Sequence, residues 1–220
     1  MQHYSLNKLQ LIRTLPNVFA ERAADIVSDV WMQDVTFEKG KVYLVEANSG
    51  TGKSSLCSYI YGYRNDYMGD ILFNEENIRS FGVSRWTDLR RHNIALLWQQ
   101  LRLFPELTAM ENVEIKNRLT GYQKRKQILE WFERLGIADR KDSLIGRMSF
   151  GQQQRVAMIR TLCQPFDFIF IDEPISHLDD ENSRIMGEIL TDEARRQGAG
   201  VVTTSIGKHL SLEYDRVLRL

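Results

Sequence analysis

The sequence predicts an α/β fold in which helices cover both faces of a mostly parallel sheet and a helical segment is inserted. Phe168–Ile171 and Gly200–Thr204 are continuous runs rather than alternating ones, which is typical of strands buried on both faces of a parallel sheet. Lys41–Glu46 is a strand-like run that turns through glycines into a helical stretch from Lys53, which makes a strand-loop-helix unit. Between residues 101 and 148 the apolar positions follow helical periodicity instead.

We expect one domain with two lobes. The chain has 220 residues, 43% of them apolar, which is enough to bury a core. The core lobe is predicted at about 1–98 and 149–220, and the helical lobe at about 101–148. Further strands are predicted at Asp70–Phe73, Asn93–Trp98 and Arg216–Leu220, with helices at Lys53–Tyr61, Ala109–Leu119 and Gln123–Leu135 and a stop at Gly136.

The charge balance argues against nucleic acid as a partner. Lys plus Arg and Asp plus Glu both number 29, so the net charge is zero and no field of one sign exists to hold a polyanion. Lys116, Arg118 and Lys124–Lys126 do cluster, but their helical context favours a solvated helix face.

The sequence also predicts that any membrane contact is peripheral. Polar residues interrupt Met1–Pro16, so this stretch lacks the apolar centre of a signal peptide. Runs such as Ile94–Trp98 are far shorter than the roughly 20 residues of a membrane-spanning helix. Cys57 and Cys163 lack metal-ligand spacing and are interpreted as small buried thiols in a reducing compartment.

A glycine-rich turn has the residues that a phosphate-binding loop needs. Such a loop combines glycines whose neighbouring N–H groups converge on anionic oxygens, a helix N-terminus, a lysine and a hydroxyl for magnesium. The full pattern G-x-x-x-x-G-K-[S/T] has glycine where this chain has Ala47, and a plain turn is the alternative interpretation. The residues predicted to hold phosphates are Asn48, Ser49, Gly50, Thr51, Gly52, Lys53, Ser54 and Ser55.

Two adjacent acids follow the strand at 168–171. A buried strand that ends in Asp172 and Glu173 delivers one carboxylate to a magnesium shell and a second to an attacking water. We therefore predict that Asp172 serves Mg²⁺ and that Glu173 is a general base. A strand end with solvated acids is the alternative.

The segment Ser149–Arg155 completes a set of three motifs. Taken alone, it is a helix start with Ser149 as N-cap. Together with the upstream phosphate loop and the downstream acids, it resembles the signature of the ATP-binding cassette (ABC) family. The resemblance runs from about Leu9 to Leu220, and Phe150 stands where the signature usually has glycine.

The resemblance implies a P-loop NTPase core with a mostly parallel sheet, an antiparallel β portion and an inserted helical lobe. It implies ATP and Mg²⁺ as cofactors and a second ABC ATPase subunit, identical or different, as a partner. In the family, the signature serine and a glycine amide close over the γ-phosphate bound by the other subunit. The corresponding residues here are Ser149, Gly151 and Gln152, and Asp179 belongs to a segment that matches the D-loop.

Gln99 resembles the glutamine of the family's Q-loop. Its carboxamide is expected to reach the magnesium or the water when the lobes close. The apolar residues after it fit either a docking patch for a membrane partner or the core; they are Leu101, Leu103, Phe104 and Leu107.

Phe19 is the aromatic residue that we predict to stack on adenine. It precedes the phosphate loop at a better distance than Tyr4 does. A place in the core is the alternative for an aromatic residue there.

The family's switch histidine is missing. The family pattern after the last core strand is Thr-His-Asp, whereas this chain has Thr204, Ser205 and Ile206. Loss of one preorganised donor typically costs about 2.7–4 kcal/mol, or roughly 10²–10³ in rate, so slow or partner-dependent hydrolysis is expected. The predicted catalytic residues are Glu173, Lys53, Gln99 and Ser205, and the predicted magnesium residues are Ser54, Gln99 and Asp172.

Within the family, the chain is most similar to cassettes of lipoprotein-release, macrolide-export and cell-division systems. That similarity implies a cytoplasmic ATPase subunit, peripheral at the inner membrane, that drives an integral membrane permease. A nucleotide-gated regulatory module with impaired hydrolysis is the alternative. A soluble ABC protein of repair or translation is a third possibility, but such proteins usually carry paired cassettes or long insertions.

Overall fold

The computed structural model describes residues 4–173 and 180–220, and it has two sheets and helices in a mixed α/β fold, as predicted. Within these residues the strands are β1 (Lys8–Pro16), β2 (Asp34–Glu38), β3 (Val42–Glu46), β4 (Tyr67–Phe73), β5 (Glu76–Asn77), β6 (Ile94–Leu97), β7 (Phe168–Asp172), β8 (Gly200–Ser205) and β9 (Arg216–Arg219). The α-helices are α1 (Lys53–Ile60), α2 (Val83–His92), α3 (Ala109–Asn117), α4 (Arg125–Arg134), α5 (Phe150–Leu162) and α6 (Asp180–Gln197).

The larger sheet is parallel and has the strand order β6-β7-β8-β3-β9. Strand β7 is buried along its whole length, and its side chains alternate between two hydrophobic clusters. Phe168 and Phe170 pack towards the second sheet, whereas Ile169 and Ile171 pack towards helices α3 to α6. This alternation explains why the strand is continuously apolar, since both of its faces are covered.

The smaller sheet is antiparallel and has the strand order β2-β1-β4-β5. Of its four strands the sequence predicted only β4, as Asp70–Phe73. The pairing of β1 with β4 shifts register between Ile12 and Leu15. Gly69 faces this irregularity, and a Cβ there would lie 2.4 Å from the carbonyl oxygens of Ile12 and Arg13. Only glycine fits so close an approach of two backbones.

Helices α3 and α4 lie in the segment for which helical periodicity was predicted. Thr108 and Glu111 form a capping box at the start of α3, and Gly136 follows α4 with a φ of 63°. The limits of the two lobes stay a prediction. Lys116 does not lie on a fully solvated helix face as expected, since its side chain is partly buried. This burial, together with the charge of Arg160, lowers the pKa of Lys116 to about 8.

No helix in the described ranges is both long and apolar enough to span a bilayer.

Asp167 joins the N-terminal segment to the parallel sheet. Its buried carboxylate accepts hydrogen bonds from the backbone N–H of Leu6 at 2.8 Å and from Nδ2 of Asn93 at 2.6 Å, and it pairs with Lys39. Removal of an acceptor from buried donors typically costs about 1–3 kcal/mol for each stranded group. Asp167 therefore ties the segment before β1 of the smaller sheet to the start of β7 in the larger sheet.

We expect Asp167→Ala to lower the free energy of unfolding in urea by about 2 kcal/mol or more, because it strands two buried donors. Asp215→Ala is the matched control, since Asp215 also accepts a backbone N–H and pairs with a lysine, but its side chain is 40% exposed. The control is expected to cost less than about 1 kcal/mol. Equal losses for the two variants would contradict this role of Asp167.

Candidate functional site

Four strand ends bring the candidate residues to one edge of the parallel sheet. The phosphate loop follows β3, Gln99 follows β6, Asp172 ends β7, and Ser205 ends β8. The register aligns Glu46 with Ser205 and Asp172 with Thr204. Carboxyl ends of parallel strands meet at a common edge, which is where open α/β sheets bind ligands.

The phosphate loop connects β3 to the first turn of α1. Gly50 and Gly52 have φ values of 80° and 101°, a region that side-chain-bearing residues rarely adopt. The carbonyl of Asn48 accepts hydrogen bonds from Thr51 Oγ1 and from Lys53 Nζ, both at 2.9 Å. The loop is therefore closed on itself, with the N-terminus of α1 at its end. Ser49 and Ser54 are exposed, and the hydroxyl of Ser55 accepts a hydrogen bond from Arg64 at 3.0 Å.

Two aromatic residues support the loop from the N-terminal segment. Trp31 is buried, and its Nε1 donates to the carbonyl of Thr51 at 2.9 Å. A Cβ at Gly52 would lie 3.1 Å from Trp31 Cζ2 and 3.2 Å from Phe19 Cε2. Phe19 thus lies beside the loop, half-buried, and its stacking on adenine stays a prediction.

Lys53, Glu173 and Gln99 form one connected group. The side chains of Lys53 and Glu173 are 5% and 13% exposed, and Lys53 Nζ lies 3.2 Å from Glu173 Oε1. Gln99 Nε2 donates to Glu173 Oε2 at 2.7 Å. In this arrangement the loop lysine and the predicted general base neutralise each other, and the predicted Q-loop glutamine holds the second carboxylate oxygen.

Asp172 lies beside this group and is almost completely buried. Thr204 Oγ1 donates to Asp172 Oδ1 at 2.8 Å, and the backbone N–H of Glu173 donates to the same hydroxyl at 3.3 Å. Burial raises the pKa of the Asp172 carboxyl above its ordinary value, while hydrogen bonds from Thr204 and Ser54 act in the opposite direction. The hydrogen bonds thus favour the charged form that a magnesium ion requires.

The residues present fit a magnesium ion. Mg²⁺ prefers oxygen donors and is usually held by one or two carboxylates together with substrate phosphates and water. Ser54 and Asp172 supply a hydroxyl and a carboxylate within hydrogen-bonding range of each other, at the start of α1 and the end of β7. No cluster of three or more histidine, cysteine or acidic side chains that could hold a metal ion occurs among the described residues.

Ser205 is buried at the end of β8, and its hydroxyl donates to the carbonyl of Lys208. The backbone carbonyl of Ser205 accepts from the N–H of Ala47 at 3.0 Å. Both contacts are structural, since they tie the end of β8 to the entrance of the phosphate loop and to the turn that follows. In this orientation the hydroxyl of Ser205 is used within its own turn, and its predicted catalytic role stays a prediction.

Ser149, Gly151 and Gln152 lie at the start of α5, away from this group. Ser149 is exposed and forms a capping box with Gln152, so the N-cap interpretation describes a real contact. Among the described residues, no hydrogen bond or ion pair joins these three to the phosphate loop. Phe150 is 42% exposed beside them. The predicted Asp179 lies outside the described residues.

Sequence reasoning missed two residues of the site, Trp31 and Thr204. Trp31 is distant from the loop along the chain and belongs to no local pattern, so only tertiary packing reveals it. Thr204 was noted only as the neighbour of Ser205. Thr203 and Thr204 at the end of a buried strand are only a weak sign of a site residue. Both buried hydroxyls need hydrogen-bond partners, and the sequence does not show which of them finds a partner in the site.

Comparison with known sequences gives a consistent family. The family profile described as "ABC transporter" matches residues 32–176. An uncharacterized ABC transporter ATP-binding protein of Mycobacterium tuberculosis is 30% identical over 84% of this chain and 75% of its own length. The ABC transporter ATP-binding protein YtrE of Bacillus subtilis is 28% identical over 90% of this chain and 89% of its length. The macrolide export ATP-binding/permease protein MacB of Bartonella henselae is 27% identical over 96% of this chain but 31% of its length.

Solved structures support the same fold. The dimeric structure of MJ0796, a bacterial ABC transporter cassette, has a TM-score of 0.77 at 23% identity and covers 94% of both chains. A dimeric structure of MJ0796 in a post-hydrolysis state, bound to ADP and Pi, has a TM-score of 0.73 at 22% identity over 90% of this chain and 87% of that one. At these identities the likeness concerns the fold alone.

Gly52→Ala is expected to disturb the loop more than Gly50→Ala. Both positions are in the left-handed region, where a side chain costs roughly 1–2 kcal/mol. A Cβ at Gly52 additionally presses on Trp31 and Phe19, whereas a Cβ at Gly50 meets nothing within 4 Å. Urea unfolding should show the larger loss for Gly52→Ala, and only that variant should change the near-ultraviolet circular dichroism of the tryptophans. Indistinguishable variants would refute the packing of Trp31 against the loop.

Proposed function

Because this chain belongs to the ABC transporter family, we propose that it binds and hydrolyses ATP as the subunit that drives a separate membrane permease through ATP-dependent dimerisation. The observation that carries this proposal is the group at the sheet edge. Lys53 lies 3.2 Å from Glu173, Gln99 lies 2.7 Å from Glu173, and buried Asp172 is held beside them.

Each member of this group has a distinct task in the proposed reaction. The N–H groups of the glycine loop and the ammonium of Lys53 bind the phosphates of ATP, and Ser54 and Asp172 hold Mg²⁺. When bound, Mg²⁺ neutralises developing phosphate charge. Glu173 takes the proton of the attacking water as general base, and Gln99 orients the Glu173 carboxylate.

ATP must displace the pair between Lys53 and Glu173. In the structure Lys53 is satisfied by Glu173 and by the carbonyl of Asn48. When phosphate replaces these partners at the ammonium, Glu173 is released towards water. Glu173 is hydrogen-bonded to Gln99, and the chain continues from Gln99 to helix α3. In the proposed mechanism, this contact connects nucleotide binding to α3 and the helices that follow it.

The proposed dimer assigns a role to the exposed start of α5. Within residues 4–173 and 180–220, no hydrogen bond or ion pair joins Ser149, Gly151 or Gln152 to the phosphate loop of their own chain, and we propose that they cover the nucleotide of a second subunit. Helix α5 is 13 residues long. Its N-terminus carries the partial positive charge that favours phosphate. The solved MJ0796 cassettes are dimeric, which supports association into a dimer. Asp179, outside the described residues, is proposed to contribute to the same interface.

Hydrolysis by the chain alone is proposed to be slow. Ser205 donates to the carbonyl of Lys208 and therefore does not replace the donor that the switch histidine provides in the family. Loss of one such donor corresponds to roughly 10²–10³ in rate. The intact Lys53, Asp172 and Glu173 favour an enzyme over a hydrolysis-deficient regulatory module.

The segment after Gln99 is the proposed contact with the permease at the cytoplasmic face of the membrane. Of the four apolar residues named from the sequence, Leu101 is buried in the core, Leu103 packs partly against it, and Phe104 is 50% exposed. Beside it the guanidinium of Arg102 lies 3.7 Å from the ring centroid of Trp98. We use the name Gln99 segment for residues 99–104 and assign the exposed ring of Phe104 to the permease.

Glu173→Gln is expected to lower the steady-state hydrolysis rate by about 10²–10⁴, because general-base catalysis contributes that factor. ATP binding, measured by calorimetry, should remain, since the loop and Lys53 are unchanged. Glu188→Gln serves as the control, because the side chain of Glu188 is 47% exposed and pairs with Arg134 of α4 and Arg184 of α6, outside the group at the sheet edge. Turnover of Glu173→Gln close to that of the wild type would reject Glu173 as the base.

Phe104→Ser is expected to reduce co-purification of the chain with its permease from native membranes at least several-fold, because it removes an exposed aromatic contact from the Gln99 segment. Val83→Ser is the control, since Val83 is 85% exposed on α2 and outside that segment. ATP affinity should be the same in both variants. Full retention of the permease by Phe104→Ser would remove the Gln99 segment from the proposed interface.

A further inference from the structure

Thr204 is a buried hydroxyl at the centre of the candidate site. It lies near the end of β8 and is aligned with Asp172 in the parallel pairing of β7 and β8. Its side chain has no exposure to solvent. A buried hydroxyl requires hydrogen-bond partners, and those of Thr204 are the two acids of the site.

One hydroxyl serves both acids in different ways. Thr204 Oγ1 donates its proton to Asp172 Oδ1 at 2.8 Å and so fixes the carboxylate side chain. The same oxygen accepts the backbone N–H of Glu173 at 3.3 Å and so fixes the main chain of the next residue. Donor and acceptor capacities of the hydroxyl are therefore both used at the junction of Asp172 and Glu173.

The backbone conformation of Glu173 needs a hydrogen bond of this kind. Its φ is 48°, in the left-handed region that residues with a side chain rarely adopt. Such a conformation costs about 1–3 kcal/mol and persists only where the surroundings impose it. The carboxylate of Glu173, placed in this way, reaches both Lys53 and Gln99.

Asp172 needs the same hydroxyl for another reason. Asp172 is only 1% exposed, and the hydroxyl of Thr204 donates to one of its two carboxylate oxygens. Without that donor, one carboxylate oxygen would lose its partner in a buried environment.

We propose that Thr204 is a positioning residue for ATP hydrolysis, whose hydroxyl orients Asp172 towards Mg²⁺ and holds the backbone of Glu173 in its left-handed conformation. This inference rests on the proposed function. It assigns the functional hydroxyl of β8 to Thr204 and not to Ser205, whose side chain is directed to the carbonyl of Lys208. Thr204 acts through the two acids and does not touch the nucleotide.

The test compares three purified variants, Thr204→Val, Thr204→Ser and Thr203→Val. Valine keeps the shape of threonine but loses both hydrogen bonds, whereas serine keeps the hydroxyl. Thr203 is the matched control, because it is also buried on β8 but its hydroxyl contacts the carbonyl of Tyr43 and the hydroxyl of Tyr214, both at 3.4 Å. Urea unfolding of each variant reports whether it is folded.

Two measurements are made on each variant. Calorimetric titration of ATP in EDTA and at increasing Mg²⁺ gives the Mg²⁺ concentration at which ATP affinity is half-enhanced. Single-turnover hydrolysis at saturating Mg-ATP gives the rate of the chemical step. Replacement of a group that orients a metal ligand typically changes metal affinity or activity by about 10–100-fold.

We expect Thr204→Val to raise the half-saturating Mg²⁺ concentration and to lower the single-turnover rate, each by about 10-fold or more. Its ATP affinity in EDTA should stay within about twofold of the wild type, since the phosphate loop is unchanged. Thr204→Ser should restore both properties largely, and Thr203→Val should match the wild type.

Either of two results would overturn the proposal: Thr204→Val and Thr203→Val share the same Mg²⁺ dependence, or Thr204→Ser is as impaired as Thr204→Val. If the wild-type chain binds Mg-ATP without hydrolysing it, the proposed function fails, and the Mg²⁺ titration still decides the role of Thr204 towards Asp172. A wild-type ATP affinity that does not respond to Mg²⁺ rejects both.

Discussion

Three charges with little exposure to solvent lie at one sheet edge, on Lys53, Asp172 and Glu173, and set the requirement that the surrounding structure meets. A charge removed from water is costly unless it is paired and hydrogen-bonded. Lys53 and Glu173 pair at 3.2 Å, and the carboxylate of Asp172 receives a hydrogen bond from Thr204. These contacts offset the cost of removing the three charges from water.

The parallel sheet explains how so few residues hold these charges in place. Strands β7 and β8 are buried at every position and β3 at its three central positions, so packing fixes the course of these strands up to the site. The phosphate loop spans only six residues between β3 and α1, and two of its glycines have positive φ values. The strand ends and the tight loop thus bring these groups together, and in the proposed reaction the pair between Lys53 and Glu173 opens when phosphate binds to the ammonium.

Much of this arrangement could be predicted because it is encoded locally. The apolar run before Asp172 and the glycines before Lys53 each indicate a strand end and a turn from a few consecutive residues. Trp31 under the loop could not be predicted in this way, since its hydrogen bond to Thr51 depends on tertiary packing. The lowered pKa of Lys116 has the same origin, because helical periodicity alone reveals neither its burial nor the neighbouring Arg160 on another helix.

The left-handed backbone of Glu173 also escapes local reasoning, although its sequence position was predicted. An acid after an apolar strand indicates a carboxylate near the ligand, but not the direction in which it points. That direction depends on β8, a neighbouring strand some thirty residues further along the chain, through the bond between Glu173 N–H and Thr204.

The alternation of side chains along a strand limits what the end of β8 can contribute. Successive residues point to opposite faces, so Thr204 and Ser205 cannot both face the acids of β7. Thr204 does so, and Ser205 turns its hydroxyl to the carbonyl of Lys208. Ser205, which stands where the family has a histidine, is therefore both shorter than histidine and already hydrogen-bonded within its own turn. In the proposed mechanism, the hydroxyl of Ser205 is used by the turn that follows β8, so it is not available as a donor to the phosphate. The two acids keep their support from Thr204. The proposal therefore separates two properties: the placement of the water-activating carboxylate, which Thr204 supports, and the stabilisation of charge that develops on the phosphate, which Ser205 does not supply.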